Sequence, residues 1–214
     1  MKTKIAAAIA LACLSSVAFA QAKQQDAGWY VGGSVGRSNT GFSQQDYTMA
    51  NAGVTESKDS HDTAFKVLLG YNFDQHWALE GAFTSLGEPK YKYSGTILGL
   101  TGNGEAKLKN DAWSLSVKGA LPINQQFDVF GRLGWTYNRS DLTVSTSWPG
   151  FGMSSHHNRS DVLVGVGLEF KPQKNWGIRA EYDNYGRFGN KWNTTSDTGR
   201  TDTDMWSLGV VIRF

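Results

Sequence analysis

Two groups of side chains in this sequence could do chemistry. The first is Ser154-Ser155-His156-His157 with Asp161 close by, which supplies the residue types of a nucleophile, a base and an orienting acid. Such a set suits hydrolysis or transfer of an acyl chain. It falls in a Gly-rich connection, where nothing fixes a base beside a nucleophile, and a His pair there reads as solvated surface. No catalytic residue is assigned, and the chain is expected not to be an enzyme. His61 and His76 are far apart and lack the spacing of a metal site, so no metal or cofactor is expected. The second group is Lys66, Glu80, Lys118, Arg132, Glu169, Arg179 and Glu181. Each lies on the polar side of a stretch that alternates apolar and polar residues. What these charges do depends on what covers the apolar side.

The alternation is clearest in the last residues. Trp206, Leu208, Val210, Ile212 and Phe214 form one apolar row, and Ser207, Gly209 and Arg213 dominate the other. A period of two is a strand with two different faces. A sandwich strand buries its apolar row in a core, whereas a membrane-barrel strand turns it to lipid and keeps small and polar residues inside. An apolar row that ends on an aromatic favours the barrel.

The beginning of the chain agrees. Met1-Lys2-Thr3-Lys4 is a basic start, Ile5 to Val17 is mostly apolar, and Ala18-Phe19-Ala20 precedes Gln21 as a small-x-small cleavage site. Residues 1–20 are expected to be a cleaved signal peptide and 21–214 one barrel domain. Lipoprotein processing at Cys13 fits less well, because Ala10 stands where Leu is expected. Cleavage removes the only cysteine together with Lys2 and Lys4, leaving 19 basic against 19 acidic side chains. A balanced chain gives no reason to expect nucleic acid or an acidic partner. No apolar run approaches the roughly 20 residues of a membrane helix. An exported chain that spans a membrane without one must close a barrel, since every backbone group in lipid needs a partner.

Eight strands can be read in order. They are Trp29–Gly36, Phe65–Phe73, Trp77–Thr84, Trp113–Leu121, Phe127–Tyr137, Val162–Phe170, Trp176–Tyr185 and the terminal stretch. Asp74-Gln75, Pro122–Gln125 and Lys171–Lys174 are short turns. Asn39–Asp62, Gly87–Asn110, Arg139–Arg159 and Gly186–Thr203 are long links, with Tyr91–Tyr93 and Lys107–Lys109 available to extend the flanking strands. Regular alternation of long and short links is the rhythm of an all-β, antiparallel, up-and-down transmembrane barrel with short periplasmic turns and long outer loops. Both termini are then periplasmic. A soluble barrel of lipocalin type would turn the apolar rows inward, which alternation alone does not distinguish. Sorting of aromatics to the strand ends does distinguish it. Trp29, Tyr71, Trp77 and Trp176 fall at the turn edge, and Trp113, Trp135, Tyr182 and Trp206 at the loop edge. Aromatic girdles of this kind mark the two interfaces of a membrane.

Ser207-x-Gly209-x-x-Ile212-x-Phe214 resembles the C-terminal signal that the barrel-assembly machinery reads in bacterial outer-membrane proteins. The chain after the leader is similar to the eight-stranded transmembrane domain of the OmpA family and its OmpX-like relatives. The matching segments include Gly28–Gly32, Gly70–Asn72, Leu79–Gly81, Arg132–Gly134, Gly167–Glu169, Arg179–Tyr182 and Ser207–Val210. The resemblance implies that Glu80, Lys118, Arg132, Glu169 and Arg179 match the ion-pair network that plugs that barrel. It also leads to the expectation that Glu80 pairs alternately with Lys118 and Arg179. The larger family members carry a peptidoglycan-binding domain after the barrel, and its function is not carried over.

Function then rests on the loops and the lumen. The expectation is a structural outer-membrane protein whose four long loops contact surfaces, host molecules or phage, with Trp148, Phe151 and Trp192 as exposed aromatics. It sits among outer-membrane lipid and lipopolysaccharide. The alternative is a narrow solute or ion channel gated by the interior charges, against a static core filling a lumen that eight strands leave just wide enough for side chains. A lipid-modifying enzyme is a third reading. Asn138-Arg139-Ser140-Asp141 recurs as Asn158-Arg159-Ser160-Asp161, either as matching strand ends with crossed Arg–Asp contacts or by chance. Asn193-Thr194-Thr195 has the pattern of a glycosylation site, without meaning in a bacterial envelope.

Overall fold

The computed structural model describes residues 27–42, 55–59, 61–88, 90–97, 100–147, 153–190 and 199–214. The leader, Trp148, Phe151, Trp192 and Asn193–Thr195 lie outside the described residues.

Among the described residues, ten strands occur in chain order: β1 Gly28–Phe42, β2 Thr55–Asp59, β3 His61–Asn72, β4 Trp77–Ser85, β5 Lys90–Ile97, β6 Leu100–Pro122, β7 Phe127–Thr146, β8 Met153–Gln173, β9 Trp176–Asn190 and β10 Gly199–Arg213. Eight of them close a ring in the order β6-β4-β3-β1-β10-β9-β8-β7, with β7 returning to β6. Every pairing is antiparallel. The two extra strands lie outside the ring, β5 against β6 and β2 against β5. They add height. β2 leads directly into β3, and β5 takes up the pairing with β6 where β4 leaves it, so the eight-stranded barrel expected from the sequence is present with two strands interrupted.

The long links are shorter than their composition suggests. Lys90–Ile97 and the start of β6 pair as a hairpin, and β7 and β8 remain paired out to Val144 opposite Met153. The Arg139–Arg159 stretch is therefore mostly ladder. Its Leu142-Thr143-Val144-Ser145-Thr146 is rich in β-branched residues that suit a pleated surface, whether or not lipid covers it. Apolarity marks where the membrane band ends, not where the strand ends.

The turns at the other end are held by side chains. The Asp74 carboxylate accepts from the amides of His76 (2.7 Å) and Trp77 (2.8 Å). The Asn124 carbonyl does the same for Gln126 and Phe127, both at 2.9 Å. These are Asx turns, a use for which Asp and Asn are suited.

The outward rows are apolar and uncovered: Val35, Val67, Leu115, Leu133 and Leu208 are exposed over more than half of their surface, and their row neighbours over a third or more. A contiguous belt of this size is not tolerated in water. At its turn edge, Trp29 packs on Tyr71 (centroids 5.1 Å apart), Tyr71 on Phe73 (5.6 Å) and Phe127 on Phe170 (4.7 Å). At its loop edge, Phe83 packs on Trp113 (4.9 Å), Trp135 on Tyr137 (6.5 Å) and Tyr182 on Trp206 (4.7 Å). Ladder neighbours bring these rings together, for example Phe83 opposite Trp113 and Tyr182 opposite Trp206.

Candidate functional site in the barrel lumen

Strand parity turns one row of each strand inward, and the lumen is where the charges collect. Lys66, Glu80, Lys118, Arg132, Glu169, Arg179 and Glu181 all point inside and are buried. Unpaired charges there would be very costly, so the pairing geometry decides whether the interior is stable.

Glu80 is the hub. It accepts from the Tyr30 hydroxyl at 2.6 Å and from Arg179 at 2.8 Å on one oxygen, and its other oxygen forms an ion pair with Arg132 at 2.7 Å. Arg132 continues to Glu181 (3.0 Å) and to Asp183 (3.1 Å). Lys66 closes that side on Glu181 and, at 2.7 Å, on Asp183. Arg179 grips Glu169 with two nitrogens, at 2.9 and 3.1 Å. Both nitrogens converge on one carboxylate oxygen, and such charge-assisted contacts are stronger than hydrogen bonds between neutral groups. Two rings lie among the cations: Tyr30 faces Lys118 (5.0 Å) and Arg179 (5.6 Å), and Phe130 faces Arg179 at 5.0 Å. Aromatic faces attract cations and supply part of what water would have given them.

The pairing expected for Glu80 is half replaced. Arg179 is its partner, but Arg132 takes the second place, and Lys118 instead stands 3.7 Å from Glu169. The guanidinium geometry explains it: Arg132 reaches Glu80, Glu181 and Asp183 at once, which a lysine ammonium could not do from one position. Sequence reasoning also passed over Asp183, Tyr30 and Phe130 as parts of the network. Asp183 is the next inward position after Arg179 and Glu181. Arg213, on the polar row of the last strand, joins Glu169, and Asp128 pairs with Lys171 at 2.6 Å.

The remaining candidates lie elsewhere. Ser154–His157 are in strand β8, paired with Ser140–Thr143, rather than in a loop. The recurrent Asn-Arg-Ser-Asp segments do not cross: Arg139 pairs with Asp141 of its own strand at 3.1 Å, and Arg159 with Asp161 at 4.0 Å. In the terminal strand Ser207 is inward, Ile212 and Phe214 outward, and the Phe214 amide donates to the Trp29 carbonyl at 3.0 Å. Trp77 and Trp206 are outward, and Trp176 is half-buried at the turn edge.

The comparisons agree with this architecture. The chain is 32% identical over 216 residues to outer membrane protein A of Serratia marcescens, covering all of this chain and 56% of that protein. It is 32% identical over 213 residues to outer membrane protein A of Yersinia pseudotuberculosis, covering 55% of it. The chain thus spans about half the length of the curated relatives it matches. Among solved structures it superimposes on Neisserial surface protein A with a TM-score of 0.54 at 13% identity, covering 87% of this chain and 97% of that one. OprG of Pseudomonas aeruginosa gives a TM-score of 0.50 at 13% identity, covering 89% and 97%. Identities this low show the fold alone. The model of the outer membrane protein beta-barrel domain matches residues 6–214. This chain belongs to that family: it is an OmpA-like β-barrel protein of the outer membrane of Gram-negative bacteria.

Proposed function

We propose that the protein is a non-enzymatic anchor that holds a surface platform in the outer membrane, where the platform contacts other surfaces. One observation carries the reading. The lumen is filled by mutually paired charges, while β6, β7 and β8 run to 23, 20 and 21 residues, about twice what a tilted strand needs to cross the bilayer. The excess height is wall without lipid on it, and loops on a rigid wall are where recognition concentrates. In this reading the leader is removed after Ala20 and the turns and both termini are periplasmic. The assembly machinery reads Ser207, Gly209, Ile212 and Phe214, and the loop ends stand among lipopolysaccharide, open to host or phage molecules.

A channel is the second reading. Lys118 favours it: its ion pair with Glu169 is long, at 3.7 Å, and it borders a water-sized cavity at the turn end together with Asp128, Glu169 and Arg213. A cation held this loosely is the member of the network freest to change partner. A loop-deletion series scored for adhesion, planar-bilayer conductance and envelope integrity separates the two. The platform reading predicts that deletions reduce adhesion while conductance stays at background. Wild-type conductance well above background, with adhesion untouched by every deletion, would favour the channel.

A further inference from the structure

The charge network closes the lumen toward the turns, and a separate construction closes it toward the loops. Leu86, just beyond β4, and Tyr185, in β9, are fully enclosed together with Leu163, Phe188 and Met205. Each is followed by a glycine in the left-handed region, Gly87 at φ 85° and Gly186 at φ 70°. A Cβ at either glycine would come within 2.7 Å of a carboxylate carbon, that of Asp62 or that of Asp161. Only glycine fits both the backbone and the space.

The two sites are built alike. Asp62 accepts from the amide of Thr63 (2.7 Å) and from that of Glu88 (2.6 Å). Asp161 accepts from the amide of Val162 (2.8 Å) and from that of Arg187 (3.0 Å). The carbonyls turned inward are covered in the same way. The Ser38 hydroxyl donates to Leu86 O at 2.6 Å, and the Asn138 amide donates to Tyr185 O at 2.9 Å. In the ring, β3 and β4 stand opposite β8 and β9, and β1 stands opposite β7, so the sites are related by half a turn about the barrel axis. The chain repeats with them. Trp77-x-Leu79 leading to Gly87 is matched by Trp176-x-Ile178 leading to Gly186. Asp111-x-Trp113-Ser114-Leu115-x-Val117 is matched by Asp204-x-Trp206-Ser207-Leu208-x-Val210. Across the axis, the hydroxyls of Thr84 and Tyr185 meet at 2.9 Å.

We propose that residues 86–88 and 185–188 are paired straps that close the lumen a second time, in series with the charge network, and that Asp62 and Asp161 are their latches. The inference does not depend on the surface role. The two closures work by different physics. The inner one holds ions in fixed pairs, and the outer one is an apolar constriction that excludes water. Two closures in series mean that opening one alone leaves the barrel sealed.

The test uses planar-bilayer conductance of the full barrel in four forms: wild type, Glu80→Ala, Asp62→Ala with Asp161→Ala, and all three substitutions together. Only the triple variant is expected to conduct above the wild-type level. Full conductance in either partial variant, or a folded triple variant that stays closed, overturns the proposal. A second measurement does not need conduction. With Cys13→Ser and Leu163→Cys, a hydrophilic thiol reagent should fail to label the folded barrel in detergent while the latches are present. It should label it once they are replaced; equal labelling in both overturns the straps. Ser38→Ala with Asn138→Ala releases the same segments from the other side and takes the place of the latch variant if that fails to fold.

Discussion

The two ends of the lumen solve the same problem in opposite ways. Toward the turns, the space is filled with charge: Glu80, Arg132, Arg179, Glu169 and their partners exclude solvent by pairing with one another. A water-sized cavity remains there, and Asp128 Oδ1, Gln75 Oε1 and Arg213 Nη1 near it lack a protein partner among the described residues. Buried polar atoms in a polar hollow are where an ordered water sits. Toward the loops, Leu86, Leu163, Phe188 and Met205 pack together, hydrogen bonds from Ser38 and Asn138 tie off the Leu86 and Tyr185 carbonyls, and the Tyr185 phenol meets the Thr84 hydroxyl. One end is closed by paired charges beside a water-sized cavity, the other by a packed apolar cluster bordered by buried hydroxyls and amides. The difference teaches that a plugged barrel of this size is not uniformly plugged, and that its two halves should fail differently.

Removing a charge should cost the most. Arg132→Ala takes one cation from Glu80, Glu181 and Asp183 together, leaving buried carboxylates short of a partner. Such losses run to about 3–5 kcal/mol. Urea unfolding in lipid vesicles should show a loss of that order, and stability within error of wild type would remove the network from the account.

Truncation at the packed end should cost somewhat less. Leu163→Ala deletes a buried side chain from the apolar cluster, an effect of about 2–5 kcal/mol. It differs in kind as well: ionic strength should leave the loss unchanged, because no charge is exposed. A Leu163→Ala penalty that varies with salt as much as the Arg132→Ala penalty would mean that the two ends are not distinct.

How much of this was legible in the sequence follows from the same physics. The outward rows and the aromatic sorting were readable, since lipid imposes apolarity at every second position and rings at the edges. The seven inward charges followed from parity alone, because a charge on the small-residue row has only the lumen to occupy. Asp183 was missed although the strand was read through to Tyr185 and parity puts Asp183 on the same row as Arg179 and Glu181. Tyr30 lies on the row of Gly32 and Ser34, where one aromatic among small residues was a signal that was missed. Gly87 and Gly186 were read as loop starts, yet each marks a bulge in a wall that continues. Partner choice was beyond reach: that Arg132 rather than Lys118 meets Glu80 depends on side-chain reach across the barrel, which alternation does not encode.

All of this rests on the outward rows facing lipid and the charges facing in. The most direct test is depth-dependent fluorescence quenching of single-tryptophan variants by lipids brominated at different points along the acyl chain. Trp77 at the turn edge and Trp206 at the loop edge should both be quenched, each most strongly by bromines near the headgroups and each from its own leaflet. If neither is quenched by any brominated lipid, the apolar rows face inward, and the charge network, the straps and the membrane reading fall together.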